Sequence, residues 1–122
     1  MNWRPGIKHP NKYGAKKTPC AWGHRHDSGD EAAYCNSLHL RQRAADPEAV
    51  EILQQQPFIL TAHGVIICKI VVDFVTVSES GARTAREVKG VETAAWRIKW
   101  KMFCAQYKDL PKVVIKKGIE CR

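Results

Sequence analysis

The sequence predicts an α/β fold, a mixed sheet packed by helices, on three observations. Two β-branched and aromatic runs, Phe58–Ala62 and Val65–Val77, meet at a His63-Gly64 break. The stretch Thr93–Tyr107 carries Trp96, Trp100, Phe103 and Tyr107 at the spacing of one helical face. The segments follow one another as helix, three strands, helix, strand, which calls for a sheet with helices laid against it.

Each element has its own signal. The opening residues are rich in Lys, Gly, Pro and Asn without apolar period, and are expected to form a basic, partly flexible arm over 1–24, ahead of a single domain over 25–122. A helix begins near Asp27-Ser28, where Ser28 and Glu31 have capping-box spacing and Ala32, Ala33, Tyr34, Leu38 and Leu40 follow. Asp46-Pro47 opens a short turn or helical piece, and from Ile52 the pattern becomes that of a strand. Ser78–Ala82 is a polar loop containing Gly81, Arg83–Lys89 the third strand, and Gly90 its end. Pro111 stops the second helix, and Lys112–Lys116 supplies the last strand around Val113, Val114 and Ile115.

Composition narrows the function. The chain has 122 residues, 44% hydrophobic and 26% charged, which suits one globular domain. Its longest apolar stretch, Val65–Val77, is interrupted by Lys69 and Asp73 and is too short for a membrane span. No secretory signal opens the chain, and five irregularly spaced cysteines do not make a disulfide framework, so a cytoplasmic protein with reduced thiols is expected. The net charge is +8. Arg4, Lys8, Lys12, Lys16 and Lys17 fill the first nineteen residues with no acid among them, and residues 97–122 carry eight basic side chains against Asp109 and Glu120. Such ends favour a polyanion, and nucleic acid is the expected partner.

The acidic residues of the middle suggest chemistry. If the loop 78–82 closes a hairpin symmetrically about Ser80, Asp73 falls opposite Glu87, and alternation places Lys89 on the same face as Glu87. Opposed carboxylates are destabilising without compensation, and a hard divalent cation such as Mg²⁺, with Mn²⁺ as substitute, compensates them with oxygen ligation. A cation there would activate a water for phosphodiester hydrolysis, with Lys89 placed to orient that water or to stabilise the charged transition state. A half-exposed salt-bridged cluster is the competing interpretation, although an aspartate inside Ile70-Val71-Val72-Asp73-Phe74-Val75 is costly to bury without partners.

Asp73 followed by Glu87-Val88-Lys89 resembles the signature of the PD-(D/E)xK, or restriction-endonuclease-like, nucleases, with Val72 in place of the proline. The chain is more closely similar to a phage-encoded, Holliday-junction-resolvase-like endonuclease family. The similarity runs through Lys12-Tyr13-Gly14-Ala15-Lys16-Lys17-Thr18, His26-Asp27-Ser28-Gly29-Asp30-Glu31-Ala32, Gln56-Pro57-Phe58, Asp73-Phe74 and Glu87-Val88-Lys89-Gly90, and on to Thr93 and Arg97–Phe103. His26 and Gly29 depart from it, standing where relatives tend to have an aromatic residue and a lysine. The resemblance implies an αβββαβ core and a Mg²⁺-dependent endodeoxyribonuclease, a homodimer acting on branched or four-way DNA in recombination. It implies that Asp73, Glu87 and the Val88 carbonyl hold the metal, that Glu31 completes the acidic set, and that Lys89 assists catalysis. A non-catalytic DNA-binding recombination factor on the same fold is the alternative.

Lys12, Lys16, Lys17, Arg97, Lys99 and Lys101 are the expected phosphate contacts. Cys20, His24, His26 and Cys35 are metal-ligating types, but Cys-x3-His-x-His is not a common finger spacing and Cys35 falls inside the first helix, so structural zinc is a minor alternative. Cys68 and Cys104 are expected to pack in the core, as are Trp96 and Trp100 in preference to stacking on bases.

Overall fold

The computed structural model describes residues 17–26 and 28–121. A five-stranded mixed sheet carries two helices. Strand β1 (Thr18–Pro19) and strand β2 (Arg25–His26) form a small hairpin, followed by helix α1 (Gly29–Arg43). Next come β3 (Glu51–Ala62), β4 (Val65–Val77) and β5 (Arg83–Val88), then helix α2 (Ala94–Gln106), β6 (Lys112–Lys116) and β7 (Ile119–Cys121). The order across the sheet is the order along the chain, β3 to β7. All neighbours are antiparallel except β5 and β6, which α2 joins in parallel.

The expected helix, three strands, helix and strand are present in that order, and three short strands, β1, β2 and β7, are additional. The segment from Lys17 on, read as arm, folds into the β1–β2 hairpin, with Cys20 buried and Trp22 packed on the core. No apolar period announces it, because strands of two residues leave none. At the other end Lys117 and Gly118, at φ of 51° and 79°, turn the chain back to pair β7 with β6. His63 and Gly64, at 49° and 79°, make the same kind of turn between β3 and β4. Pro57 is tolerated because β3 is an edge strand.

Both helices begin as their caps dictate. The Ser28 hydroxyl accepts from the Glu31 amide at 3.1 Å, and the Thr93 hydroxyl from the Trp96 amide at 3.1 Å. One core lies under α1: Ala32, Cys35 and Leu38 pack with Phe74, Val113 and Ile115. The other lies under α2: Phe103 packs with Phe58, Leu60, Ile70, Val72, Val75 and Ala85. On a regular strand Val72 and Phe74 would share a face. Here Val72 sides with Val75 and Phe74 with the opposite core, so the face assignment inverts between them. The neighbouring strand breaks at the same level: Gln54 pairs with Phe74 and Gln56 with Val72, while Gln55 sits at φ 51°. Asp73 is the residue at the inversion.

Among the described residues no helix is long and apolar enough to cross a membrane. Val65, Ile66 and Ile67 are exposed at the outer end of the β3–β4 hairpin.

Candidate functional site

Strands β4 and β5 pair Val77 with Arg83 through Phe74 with Arg86, the register symmetrical about Ser80 that the loop length predicts. The ladder ends there, and the next two residues, Asp73 and Glu87, use side chains where backbone bonds stop. The Asp73 amide donates to Glu87 Oε1 at 3.2 Å, and the Val88 amide donates to Asp73 Oδ2 at 2.9 Å. Ala85 on β5 belongs to the α2 core, so Glu87 two residues on faces that side, where Trp96 Nε1 donates to its Oε2 at 3.1 Å.

Glu31 arrives from the first turn of α1. Ser28 performs its half of the capping box, but the Glu31 carboxyl is buried, accepting from His26 Nδ1 at 2.9 Å and hydrogen-bonding to Asp73. Three carboxyl groups from three elements therefore meet around Asp73. Burial is the main force raising the Asp73 pKa, to about 7. Hydrogen bonding with Glu31 and the Val88 amide opposes the rise, while the Glu87 hydrogen bond and charge add to it.

These groups line a cleft of about 500 Å³ with Ser28, Gln55, Val88, Lys89, Thr93, Trp96 and Lys99. The Lys89 ammonium lies 4.9 Å from the centre of the Trp96 ring. Among the described residues no ion pair joins it to Asp73 or Glu87. The cleft thus holds hard oxygen donors in its floor and two lysines on its wall, the chemistry of a site for a divalent cation and a phosphate.

The expected phosphate contacts divide. Lys12 and Lys16 lie outside the described residues. Lys17 is exposed. Lys99 lines the cleft, whereas Arg97 and Lys101 are exposed on α2 and border a different hollow with Lys116 and Glu92. Trp96 and Trp100 stack on each other with centroids 5.2 Å apart; Trp100 packs on the α2 core, but Trp96 is also a cleft residue bonded to Glu87. Cys104 is exposed, not packed, because it lies off the Trp96-Trp100-Phe103 face. Cys68 is half-buried against the α2 core.

A second cluster is better formed than the residue spacing predicts. Cys20, His24, His26 and Cys35 come together, with one ligand atom from each lying within 4.8 Å of the others, an arrangement able to hold a metal ion. The helical position of Cys35 weighed against it in the sequence. In the fold, that position is one turn beyond Glu31 on the buried face of α1, and directs the thiol at the hairpin. The available signal was Cys20, His24 and His26 in seven residues beside a helix whose buried face carries a cysteine.

A third polar group was not foreseen. Arg86, 1% exposed, donates to Thr76 Oγ1 at 2.9 Å, to the Tyr34 hydroxyl at 2.9 Å and to Glu120 Oε1 at 3.1 Å. Burial, chiefly, and the Glu120 hydrogen bond push the Tyr34 hydroxyl up to about 12.

No curated protein and no solved structure matches the chain. One family model, described as a protein of unknown function (DUF1064), matches residues 10–121, and the chain belongs to that family.

Proposed function

We propose that this protein is a Mg²⁺-dependent endodeoxyribonuclease with a restriction-endonuclease-like core, acting on branched DNA in the manner of Holliday junction resolvases. The observation that carries the reading is the meeting of Asp73, Glu87 and Glu31 at the open end of the β4–β5 ladder, beside Lys89 and Lys99. The site fits a hard divalent cation by its donors. Its carboxyl oxygens are gathered at a buried point where Asp73 is strained toward its neutral form, a cost that a cation offsets. When bound, such an ion supplies Lewis acidity, neutralising charge on a phosphate and lowering the pKa of a water.

The chain's own groups divide the remaining work. Asp73 and Glu87 hold the cation, with the main chain of Val88 beside them. Trp96 fixes the Glu87 carboxylate, and the Val88 amide fixes that of Asp73, so neither has to be ordered during the reaction. Glu31 completes the acidic set from the first turn of α1. Lys89 stabilises the negative charge that grows on the phosphate oxygens, and Lys99 holds a neighbouring phosphate. Lys12, Lys16, Lys17, Arg97 and Lys101 extend the grip along the DNA backbone. Two copies acting together as a homodimer would cut two strands symmetrically.

The test compares a four-way junction with linear duplex, using dialysed protein with Mg²⁺ added or withheld. Cutting of the junction in Mg²⁺ only, lost on the order of 10²–10³-fold in Asp73→Asn while binding persists, is the expected result. Junction binding without cutting in Mg²⁺ or Mn²⁺ would identify the non-catalytic DNA-binding alternative instead.

A further inference from the structure

We propose that Cys20, His24, His26 and Cys35 form a structural zinc site that staples the β1–β2 hairpin to helix α1. The hairpin has two pairs of residues, Thr18 with His26 and Pro19 with Arg25, far too few to hold its shape alone. Yet Cys20 and His26 are buried, as is Cys35 on the helix behind them. Something beyond two backbone pairs must fix this segment, and four soft or borderline ligands at one point are what a tetrahedral zinc ion requires.

The distances support that geometry. His24 Nδ1 lies 3.5 Å from Cys20 Sγ and 3.6 Å from Cys35 Sγ. With zinc–sulfur and zinc–nitrogen bonds of about 2.3 and 2.0–2.1 Å, the sulfur–nitrogen edge of a tetrahedron is about 3.5 Å. His26 supplies the fourth corner. Its Nδ1 is engaged by Glu31 at 2.9 Å, and its Nε2 is buried without a hydrogen-bond partner among the described residues. An imidazole whose far nitrogen is held by a carboxylate is the usual support for a metal-ligating histidine, fixing its tautomer and its orientation. One group competes: the Gln54 amide nitrogen is 2.9 Å from the same His24 Nδ1, and has to turn aside for the ligand.

The site is separate from the acidic cleft but touches it through His26 and Glu31. A metal on Nε2 keeps the Nδ1 proton on the Glu31 side and so holds Glu31 toward Asp73. That consequence rests on the nuclease reading; the zinc site does not.

The full chain, purified without chelator and dialysed, is expected to carry about one zinc per molecule by plasma mass spectrometry. Cobalt(II) added after zinc removal should give the intense visible bands and thiolate charge transfer of a tetrahedral thiolate site. Cys35→Ser and His24→Ala should each lower zinc below about a tenth per chain, while Cys104→Ser and Gln54→Ala retain it. If the ligand variants precipitate, the wild-type zinc content and cobalt spectrum decide. A chain without zinc whose cobalt spectrum is octahedral overturns the proposal, as does a Cys20–Cys35 disulfide in place of metal, or zinc retained in both ligand variants. None of these readouts involves DNA, so loss of cutting with zinc in place would count against the nuclease reading alone.

Discussion

Arg86 and Glu87 are adjacent on β5, yet they build opposite kinds of polar site. Arg86 points under α1 and is answered within the chain by Thr76, Tyr34 and Glu120; Arg41 adds a second cation to Glu120 at 3.1 Å and binds Asp46 at 2.9 Å. Glu87 points toward α2 and meets a second carboxyl, Asp73, with a third beyond it. Among the described residues, no lysine or arginine nitrogen forms an ion pair with Asp73 or Glu87. The first cluster closes its own charge and ties β7 to α1. The second gathers carboxyl groups at a cleft, Asp73 and Glu87 without a lysine or arginine partner among the described residues, the arrangement on which the proposed cation site rests. A buried charged residue is therefore informative only with its partners, since the same strand supplies a self-satisfied network and an unsatisfied one.

Substitution should separate the two most sharply in stability. Arg86→Met leaves Glu120 with Arg41 but removes three hydrogen bonds from a buried position, and is expected to lower unfolding free energy by about 3 kcal/mol in urea titration. Asp73→Asn, which relieves the opposition of like charges, should raise it by about 1 kcal/mol in metal-free buffer. Equal losses in both variants would erase the distinction.

The pH dependence sharpens it further. Asp73 has its pKa raised in the folded state, from an ordinary carboxylate value to about 7, so the folded form retains a proton that the unfolded chain releases. Its contribution to stability is full below pH ~4 and is lost as pH rises toward 7. Metal-free protein should lose stability across that window, and Asp73→Asn should lose less, as urea midpoints at pH 4, 5.5 and 7 would show. The smallest effect concerns α2. Arg97→Ala or Lys101→Ala should flatten the salt dependence of DNA binding by at most about one unit of slope each, while leaving cutting by bound enzyme nearly unchanged.

Much of this was legible in the residues, and the reasons differ. Asp73 and Glu87 could be placed together because hairpin register follows from loop length, and the 78–82 loop closes about Ser80. Helix α2 could be read from Thr93 to Tyr107 because its cap and aromatic face agree. The inversion at Asp73 could not, since it depends on Gln55 adopting positive φ in the neighbouring strand, a conformation that no local rule assigns to glutamine. The Arg86–Tyr34–Glu120 network joins residues up to 86 positions apart and leaves no spacing to find. The Cys/His cluster was readable in type but not in arrangement, because its fourth member is brought in by helix packing.

The central claim is that the acidic cleft binds a divalent cation. Titration of the purified full chain with Mn²⁺, followed by electron paramagnetic resonance, tests it most directly. Saturable Mn²⁺ binding that disappears in Asp73→Asn and is displaced by Mg²⁺ is the predicted result; a wild-type chain that takes up no Mn²⁺, or an Asp73→Asn chain that binds it equally well, would contradict the account.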